Sequence, residues 1–347
     1  MKAAEWIARD SLRVVDLPEP RAADGQAVIE VAACGICGSD LHSYRDGFAV
    51  GPGQVLGHEF SGTIVEAPGV EGLAVGTRVV ARPLIPCCRC PGCRAGEPQR
   101  CSDRSALNIG YRSPGAFAER VLVPRAVVGE TIFPLPAEVS DQAGALVEPF
   151  AVALHAVNGA SVREDDSALV LGGGPIGLGV ARLLRLRGVR HLTVVELSSL
   201  RRERALAAGA DLVIDPASED VATTIREVAG SLGGEHGANV DLVIDCAGAE
   251  AALRDALRVL RRGGTLVLTA IFGKSVAVHL DQIVEKEIVA KGSFAYRDEF
   301  VEVVELLAGG MIDPDLFVSH AFGLDEIIDA FEVQSDPRRS TKVMVLP

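Results

Sequence analysis

Residues 168–177 read ALVLGGGPIG, an apolar run too short for a helix that leads directly into a glycine-rich turn. The glycines fit the pattern G-x-G-x-x-G. Gly172 permits a tight turn, Gly174 lets the backbone approach a pyrophosphate, and Gly177 lets a helix pack closely on a strand. Glycine-rich turns are common, so the pattern alone is a weak signal. Its place between a predicted strand and a predicted helix indicates a dinucleotide-binding unit.

The residues after the turn support this interpretation. Pro175 and Ile176 open a predicted helix, whose N-terminus would offer N–H groups and a positive dipole end to phosphates. Glu196 lies at the end of the next predicted strand, where a carboxylate can accept hydrogen bonds from an adenosine ribose and would repel a 2′-phosphate. We therefore expect NAD rather than NADP, although the positive charges of Arg201 and Arg202 would partly offset the repulsion of the NADP 2′-phosphate. The alternative is a structural turn beside a surface glutamate.

Apolar segments and amphipathic segments alternate through this half of the chain. Such alternation is typical of a parallel sheet covered by helices on both faces, so a doubly wound α/β domain is predicted. Residues 1–150 instead contain short β-branched segments between Gly or Pro turns, which predict a β-rich domain. The predicted strands are 26–32, 61–67, 77–81, 168–171, 192–195, 212–214, 242–246, 265–269 and 342–346, and the predicted helices are 176–187, 200–208, 251–260 and 324–333.

Four cysteines form the densest cluster of possible metal ligands. Residues 86–101 read PCCRCPGCRAGEPQRC, with the spacing Cys87-x2-Cys90-x2-Cys93-x7-Cys101. Two-residue gaps let consecutive sulfurs turn toward one point, and four thiolates bind zinc tetrahedrally with no open position. The segment has almost no apolar periodicity, so a metal would have to hold its shape. A disulfide pair or ordinary buried thiols are the alternative.

A second group of possible ligands lies upstream. Residues 34–42 read CGICGSDLH, residues 57–59 read GHE, and residues 147–149 read VEP. Cys, His and Glu all bind zinc, and three such ligands with one open position are typical of a catalytic site. No one of these residues alone indicates a metal site, because a lone histidine is more often a core or surface residue than a ligand. Their combination predicts a second, reactive metal centre.

Composition excludes several classes of protein. The 347 residues are enough for about two domains, and the formal net charge of -13 argues against a nucleic-acid-binding surface. The longest apolar runs fall well short of the roughly 20 residues that a membrane span needs, and the first residues lack the apolar core of a signal peptide. Seven of the eight cysteines lie in two short clusters, which predicts a reducing, cytoplasmic location.

Together these motifs resemble the zinc-dependent medium-chain dehydrogenases, the superfamily of alcohol and polyol dehydrogenases. The resemblance covers essentially the whole chain, in the family's order and spacing, and is carried by CGICGSDLH at 34–42, GHE at 57–59, the four-cysteine segment, VEP at 147–149 and VLGGGPIG at 170–177.

The resemblance implies an α/β fold of two domains. Residues 1–150 and 293–347 would form a GroES-like β-barrel catalytic domain, with a structural-zinc lobe at 86–102. Residues 151–292 would form a Rossmann domain with a doubly wound parallel sheet. Two zinc ions per chain, a small-molecule alcohol or ketone substrate and a homodimer or homotetramer are also implied.

The resemblance further implies the ligands of the catalytic zinc. Cys37, His58 and Glu59 would bind the ion, and Glu148 would be a further or exchangeable ligand where other alcohol dehydrogenases place a cysteine. Asp40 would orient His58 through its second ring nitrogen. Whether Glu59 ligates directly or water takes its place stays open. Cys34 and Cys88 match no ligand position.

The implied reaction is hydride transfer between a secondary alcohol and NAD in a cleft between the two domains. Ser39 matches the hydroxyl that accepts the substrate proton, and His42 matches the residue that passes the proton toward solvent. Zinc would favour the deprotonated alcohol, as it lowers the pKa of bound water to about 7.

Two stretches bear on the substrate. Residues 291–313 resemble bacterial butanediol- and sorbitol-type enzymes, whereas residues 113–124 also resemble the threonine branch. We expect a vicinal diol or polyol. L-threonine 3-dehydrogenase activity or a sugar or cyclitol alcohol are alternatives. A non-catalytic nucleotide-binding relative is disfavoured, because it would have no need to keep Cys37, His58 and Glu148 together.

Overall fold

The computed structural model describes residues 1–103, 107–232 and 239–347. In chain order its strands are β1 Lys2–Ala8, β2 Ser11–Asp16, β3 Ala27–Gly35, β4 Gln54–Val55, β5 Glu59–Glu66, β6 Arg78–Ala81, β7 Arg120–Val123, β8 Ile132–Pro134, β9 Ser167–Leu171, β10 His191–Val195, β11 Leu212–Ile214, β12 Val240–Asp245, β13 Leu260–Leu268, β14 Val289–Gly292, β15 Val318–Gly323 and β16 Lys342–Leu346. Its α-helices are α1 Gly38–Asp46, α2 Pro91–Arg94, α3 Asp141–Ala145, α4 Val147–Ala160, α5 Pro175–Leu186, α6 Ser199–Ala207, α7 Val221–Leu232, α8 Glu250–Val259, α9 Leu280–Lys286, α10 Phe300–Ala308 and α11 Ile327–Ser335. None of these helices has the length and the apolar run that crossing a bilayer would require.

The chain divides into two compact units. One unit combines Met1–Glu148 with Arg297–Pro347, and the other is Pro149–Tyr296.

The unit Pro149–Tyr296 is built on a six-stranded parallel sheet. Its strand order is β11-β10-β9-β12-β13-β14, which is the order of a Rossmann fold and confirms the predicted doubly wound sheet. All five residues of β9 are buried, as its uninterrupted apolar sequence predicts. The order reverses between β9 and β12, so the carboxyl ends of these two strands border the crevice where dinucleotides bind in such folds.

The bounds of several predicted segments differ from those in the structure, and two of these differences have a clear physical reason. Strand β13 begins at Leu260 rather than Thr265, because Leu260 pairs with Val240 before the register shifts. The helix predicted at 324–333 is a 3₁₀ turn at Leu324–Glu326 followed by α11. In both places tertiary pairing or a change of helix type decides the boundary, and neither has a local sequence signal.

The other unit contains a seven-stranded sheet and a three-stranded sheet. The larger sheet has the order β15-β16-β3-β5-β6-β8, with β7 also paired to β3, and the smaller one has the order β2-β1-β4. An apolar cluster fills much of this unit and includes Ile29, Phe60, Phe117 and Phe331. At the end of β3, Gly35 pairs with Glu59 of β5 on one side and with Met344 of β16 on the other. Three distant parts of the chain therefore meet where the predicted ligands lie.

Candidate functional site

The predicted ligands Cys37, His58 and Glu59 lie together at the end of β3. The Cys37 sulfur, one His58 ring nitrogen and one Glu59 carboxylate oxygen are within 4.8 Å of one another. Cys37 caps the N-terminus of α1, where its backbone N–H donates to Asp40 Oδ2 at 2.9 Å. His58 and Glu59 are buried, while Cys37 is partly accessible. One sulfur, one nitrogen and one oxygen donor fit a zinc ion, and a zinc held by three protein ligands would keep a fourth position for substrate.

Asp40 contacts the histidine of this group. Its carboxylate is buried, with Oδ1 at 3.5 Å from His58 Nδ1 and at 3.3 Å from the backbone N of Gly57. Since Asp40 faces Nδ1, the Nε2 atom of His58 is left for a metal ion. Gly57 has φ +91, and a Cβ there would approach Cys34 Sγ and the Phe117 backbone N to 2.9 Å, so only glycine fits.

Lys342 is a residue of this site that the sequence did not predict. Its Nζ donates to both carboxylate oxygens of Glu59, at 2.8 and 2.5 Å, and to the Ile36 carbonyl at 3.0 Å. Burial alone lowers the pKa of Lys342. The Glu59 carboxylate outweighs burial, with smaller contributions from Cys37 and Glu148, so the pKa lies above its ordinary value. A lysine that opens an apolar strand looks exposed in the sequence, which gives no sign of its buried partner.

Glu148 does not join the group of three ligands. It is the second residue of α4 and is buried, but its carboxylate lies outside the set of atoms within 4.8 Å of one another. The possible metal ligands that lie within 4.8 Å of one another here are therefore Cys37, His58 and Glu59.

The two residues predicted to move the proton differ in their surroundings. Ser39 Oγ is hydrogen-bonded to Tyr111 Oη at 2.8 Å. His42 is about half exposed and lies 3.7 Å from Asp46, one turn later on α1. Tyr111 also packs its ring against His58, with 5.1 Å between ring centroids. Burial raises the pKa of Tyr111 well above its ordinary value, so this hydroxyl stays protonated. No sequence signal pointed to Tyr111.

The four sulfurs of Cys87, Cys90, Cys93 and Cys101 also lie within 4.8 Å of one another. Backbone N–H groups of Cys93 and Ser102 lower the pKa of Cys90 to about 5, and the backbone N–H of Arg89 lowers the pKa of Cys87. Burial and the neighbouring sulfurs instead raise the pKa of Cys93 to about 12. Four sulfurs in contact, two of them with a lowered pKa, fit a zinc site that would hold all four as thiolates.

Cys88 is next to this cluster in sequence but is not part of it. Its sulfur points away, 3.6 Å from the Pro86 carbonyl and 3.8 Å from Glu130 Oε1. The backbone of Cys88 has φ +59, which turns its side chain off the face that its neighbours share.

The glycine-rich turn has the geometry that its pattern predicts. Gly172 has φ +92 and lies against the loop after β12, since a Cβ there would be 3.1 Å from the Ala247 backbone N. A Cβ on Gly177 would lie 1.8 Å from the Gly172 carbonyl, so α5 can start here only with glycine. Gly174 precedes Pro175 as the N-cap of α5, and the side chain of Ile176 follows in the first turn.

Glu196 and Arg201 lie beside this turn. Glu196 Oε2 accepts from the Gly173 backbone N at 2.6 Å, and Oε1 accepts from the Ser198 backbone N at 2.8 Å. The guanidinium of Arg201 lies 3.7 Å from where a Gly174 Cβ would be. Arg202 is used differently, because it forms an ion pair with Asp215 at 3.0 Å. Only one of the two arginines therefore faces the turn.

Comparison with known proteins identifies the family. Residues 23–136 match the alcohol dehydrogenase GroES-like domain, and residues 175–309 match the zinc-binding dehydrogenase domain. The chain is 35% identical to the (R,R)-butanediol dehydrogenase of Bacillus subtilis (strain 168), with 100% of both chains covered, and 30% identical to the sorbitol dehydrogenase of the same strain, with 100% of this chain and 97% of that one covered.

A solved structure shows the same architecture. A zinc-binding dehydrogenase from Sinorhizobium meliloti 1021, bound to NADP, superimposes with a TM-score of 0.88 at 34% identity, covering 100% of this chain and 99% of that one. These matches confirm a GroES-like domain joined to a Rossmann domain and an oxidoreductase activity. The chain belongs to the zinc-dependent medium-chain alcohol and polyol dehydrogenase family.

Proposed function

We propose that this protein oxidises a secondary alcohol that carries a neighbouring hydroxyl group, a vicinal diol or polyol, and transfers the hydride to NAD. The observation that carries the proposal is the donor group of Cys37, His58 and Glu59, which lie within 4.8 Å of one another. The Ser39 hydroxyl contacts Tyr111, whose ring packs against His58 of this group. Ketone reduction would follow the same path in reverse.

Each part of the site has a role in this reaction. Cys37, His58 and Glu59 would hold a zinc ion, whose positive charge favours loss of a proton from a bound hydroxyl group. Ser39 would accept that proton, and the half-exposed His42 would pass it to solvent. Glu148 would act as an exchangeable ligand, consistent with its burial outside the group of three.

We infer two zinc ions per chain. The second ion would be held by the four-cysteine cluster, where it has no open position and fixes the lobe. All eight cysteines are free thiols, which favours a reducing, cytoplasmic location. Metal analysis of the purified protein should find two zinc ions. Replacing Cys37 by Ser should leave one and abolish turnover without unfolding the protein. A variant that keeps its turnover would overturn the assignment.

We propose NAD as the preferred cofactor. The turn at Gly172, Gly174 and Gly177 would hold the pyrophosphate, with Pro175 and Ile176 opening the helix behind it. Glu196 would accept from the adenosine ribose and disfavour a 2′-phosphate, whereas Arg201 would reduce that selectivity. The structural relative binds NADP, so kcat/KM must be measured with both cofactors. A higher value with NADP would reverse the preference.

The substrate class is supported by the names of the relatives, a butanediol dehydrogenase and a sorbitol dehydrogenase. A panel of 2,3-butanediol, sorbitol, L-threonine and 2-butanol tests it. Because 2-butanol lacks the neighbouring oxygen, we expect its kcat/KM to be at least about tenfold lower than that of a diol, the effect of one lost polar contact. If L-threonine gives the highest value, threonine 3-dehydrogenase activity replaces the diol proposal.

We further propose that two copies associate through strand β14. Within the described residues, β14 pairs only with β13, and apolar side chains around it are exposed, including Val289, Phe294 and Val284. An apolar edge strand left open invites aggregation, so a second copy is the natural cover. Sedimentation should show a homodimer or homotetramer, and Val289→Lys should lower the number of associated subunits. A wild-type monomer would contradict this.

A further inference from the structure

Tyr111 occupies a position next to the proposed proton acceptor. Its Oη lies 2.8 Å from Ser39 Oγ, and its ring packs at a tilt against His58, with 5.1 Å between ring centroids. It therefore connects one metal-binding residue with the residue that would take the proton. Neither its residue type nor its position in the sequence assigned it a role.

The turn that carries Tyr111 is held firmly against the site. The backbone N–H groups of Tyr111, Arg112 and Ser113 all point to the Asn108 carbonyl, at 3.3, 3.0 and 3.0 Å. Gly110 has φ +84, and a Cβ there would meet the Gly57 carbonyl at 2.8 Å and His58 Cβ at 3.2 Å. Little freedom is left for the tyrosine to move relative to His58.

Either hydroxyl can donate in the contact between Ser39 and Tyr111, because each carries a single hydrogen. Phenols are intrinsically stronger acids than aliphatic alcohols, which favours Tyr111 as the donor. Donation by Tyr111 occupies one lone pair of Ser39 Oγ and leaves the other lone pair and the serine hydrogen free. It also polarises the serine hydroxyl, which makes it a better donor in turn.

We propose that Tyr111 is a positioning residue of the proton relay: its donated hydrogen bond holds Ser39 with the free lone pair toward the substrate hydroxyl and the serine hydrogen directed away. This inference rests on the proposed function. In the relay the substrate O–H bond breaks as a new O–H bond forms on Ser39. The original serine hydrogen leaves toward solvent, where the half-exposed ring of His42 would take it up, and Tyr111 keeps its own proton throughout.

The test is a double-mutant cycle on the full-length, zinc-loaded protein. Tyr111→Phe keeps the ring over His58 and removes only the hydroxyl. It is made in the wild-type, Ser39→Ala and Ser39→Thr backgrounds. Tyr44→Phe is the matched control, because Tyr44 is a buried tyrosine on α1 whose hydroxyl donates to the Asp10 carbonyl instead. The measurements are kcat, both KM values, single-turnover NADH formation and zinc content.

Tyr111→Phe should lower kcat about tenfold, the effect of one hydrogen bond of about 1.4 kcal/mol, with both KM values and two zinc ions unchanged. The loss should vanish in the Ser39→Ala background and return in Ser39→Thr, which restores a hydroxyl. Tyr44→Phe should leave kcat unchanged.

Three results would overturn the inference. An equal loss in the Ser39→Ala background would mean that Tyr111 acts on the substrate or on the fold. A rise in KM with kcat unchanged would assign it to substrate binding, and an unchanged kcat in Tyr111→Phe would remove its role. If the zinc-loaded wild type oxidises no alcohol, the proposed function itself fails and the inference falls with it.

Discussion

The Nζ atom of Lys342 binds both carboxylate oxygens of Glu59, and the two side chains are only 2% and 1% exposed. The pair joins β16 to β5 at the position where the metal ligands meet. The positive charge of the ammonium group partly offsets the negative charge of the carboxylate. Lys342 would therefore limit how strongly Glu59 binds a metal cation.

Lys342→Met should strongly destabilise the unit that contains the pair. The substitution leaves the Glu59 carboxylate buried without its cation, which typically costs about 3–5 kcal/mol. Urea unfolding can be followed by the fluorescence of Trp6, the single tryptophan, which is buried in the same unit. Lys2→Met is the control, because its ion pair with Asp325 is exposed, and it should change the unfolding midpoint little.

Adding Glu59→Gln to Lys342→Met should recover much of the lost stability, since no unpaired charge is then left in the interior. A double variant as unstable as Lys342→Met alone would show that packing rather than charge causes the loss.

Asp40→Asn should weaken zinc binding at the Cys37 site. Carboxylates that orient a ligating histidine contribute about 10–100-fold in metal affinity, and Asp40 is the buried partner of His58 Nδ1. Competition with a chromogenic chelator measures the affinity. Asp16→Asn removes an exposed carboxylate of the same unit and should have no effect. Equal affinity in the wild type and Asp40→Asn would exclude this role.

Cys90→Ser should remove one zinc ion and make the lobe at 87–101 sensitive to proteases, because this segment has little apolar core of its own. Cys88→Ser is a closely matched control, since the Cys88 sulfur points out of the cluster. It should retain both zinc ions. Metal analysis and limited proteolysis give the readouts, and loss of zinc from both variants would contradict the four-sulfur assignment.

Glu196→Ala should raise the KM for NAD about tenfold and narrow the difference between NAD and NADP. In the proposed role, the carboxylate would supply the ribose contacts, and its removal would also remove the repulsion of a 2′-phosphate. Glu203→Gln alters an exposed carboxylate on α6 and should leave both KM values unchanged. If Glu196→Ala weakened NAD and NADP equally, Glu196 would not determine cofactor choice.

The parts of the protein that could be predicted from sequence are those with local signals. The apolar strand β9, the glycines of the turn and the start of α5 follow one another in ten residues, so their chemistry can be read directly. For these features, the neighbours in sequence are also neighbours in space. The ligand set of Cys37, His58 and Glu59 is instead predicted from the resemblance to a family, and the two motifs that hold it meet only because β3 pairs with β5.

Lys342 and Tyr111 could not be found in this way. Lys342 lies 283 residues from Glu59, and Tyr111 lies 72 residues from Ser39. A lysine or a tyrosine in isolation gives no sign of a buried partner, because the contact exists only after the sheet has closed. The same reason explains β13, whose first residues become a strand through their pairing with Val240.

The pairing of β16 with β3 has a consequence for biosynthesis. During translation, residues 149–296 are synthesised after Glu59 and before Lys342. The nascent Met1–Glu148 segment therefore contains Glu59 without its ion-pair partner, and its sheet lacks β15 and β16. The dinucleotide-binding unit, by contrast, has all of its strands once Tyr296 has emerged. Domains usually fold as units during translation, starting from the N-terminus. In this chain the order would be reversed, because the unit that contains the proposed metal ligands would be completed last.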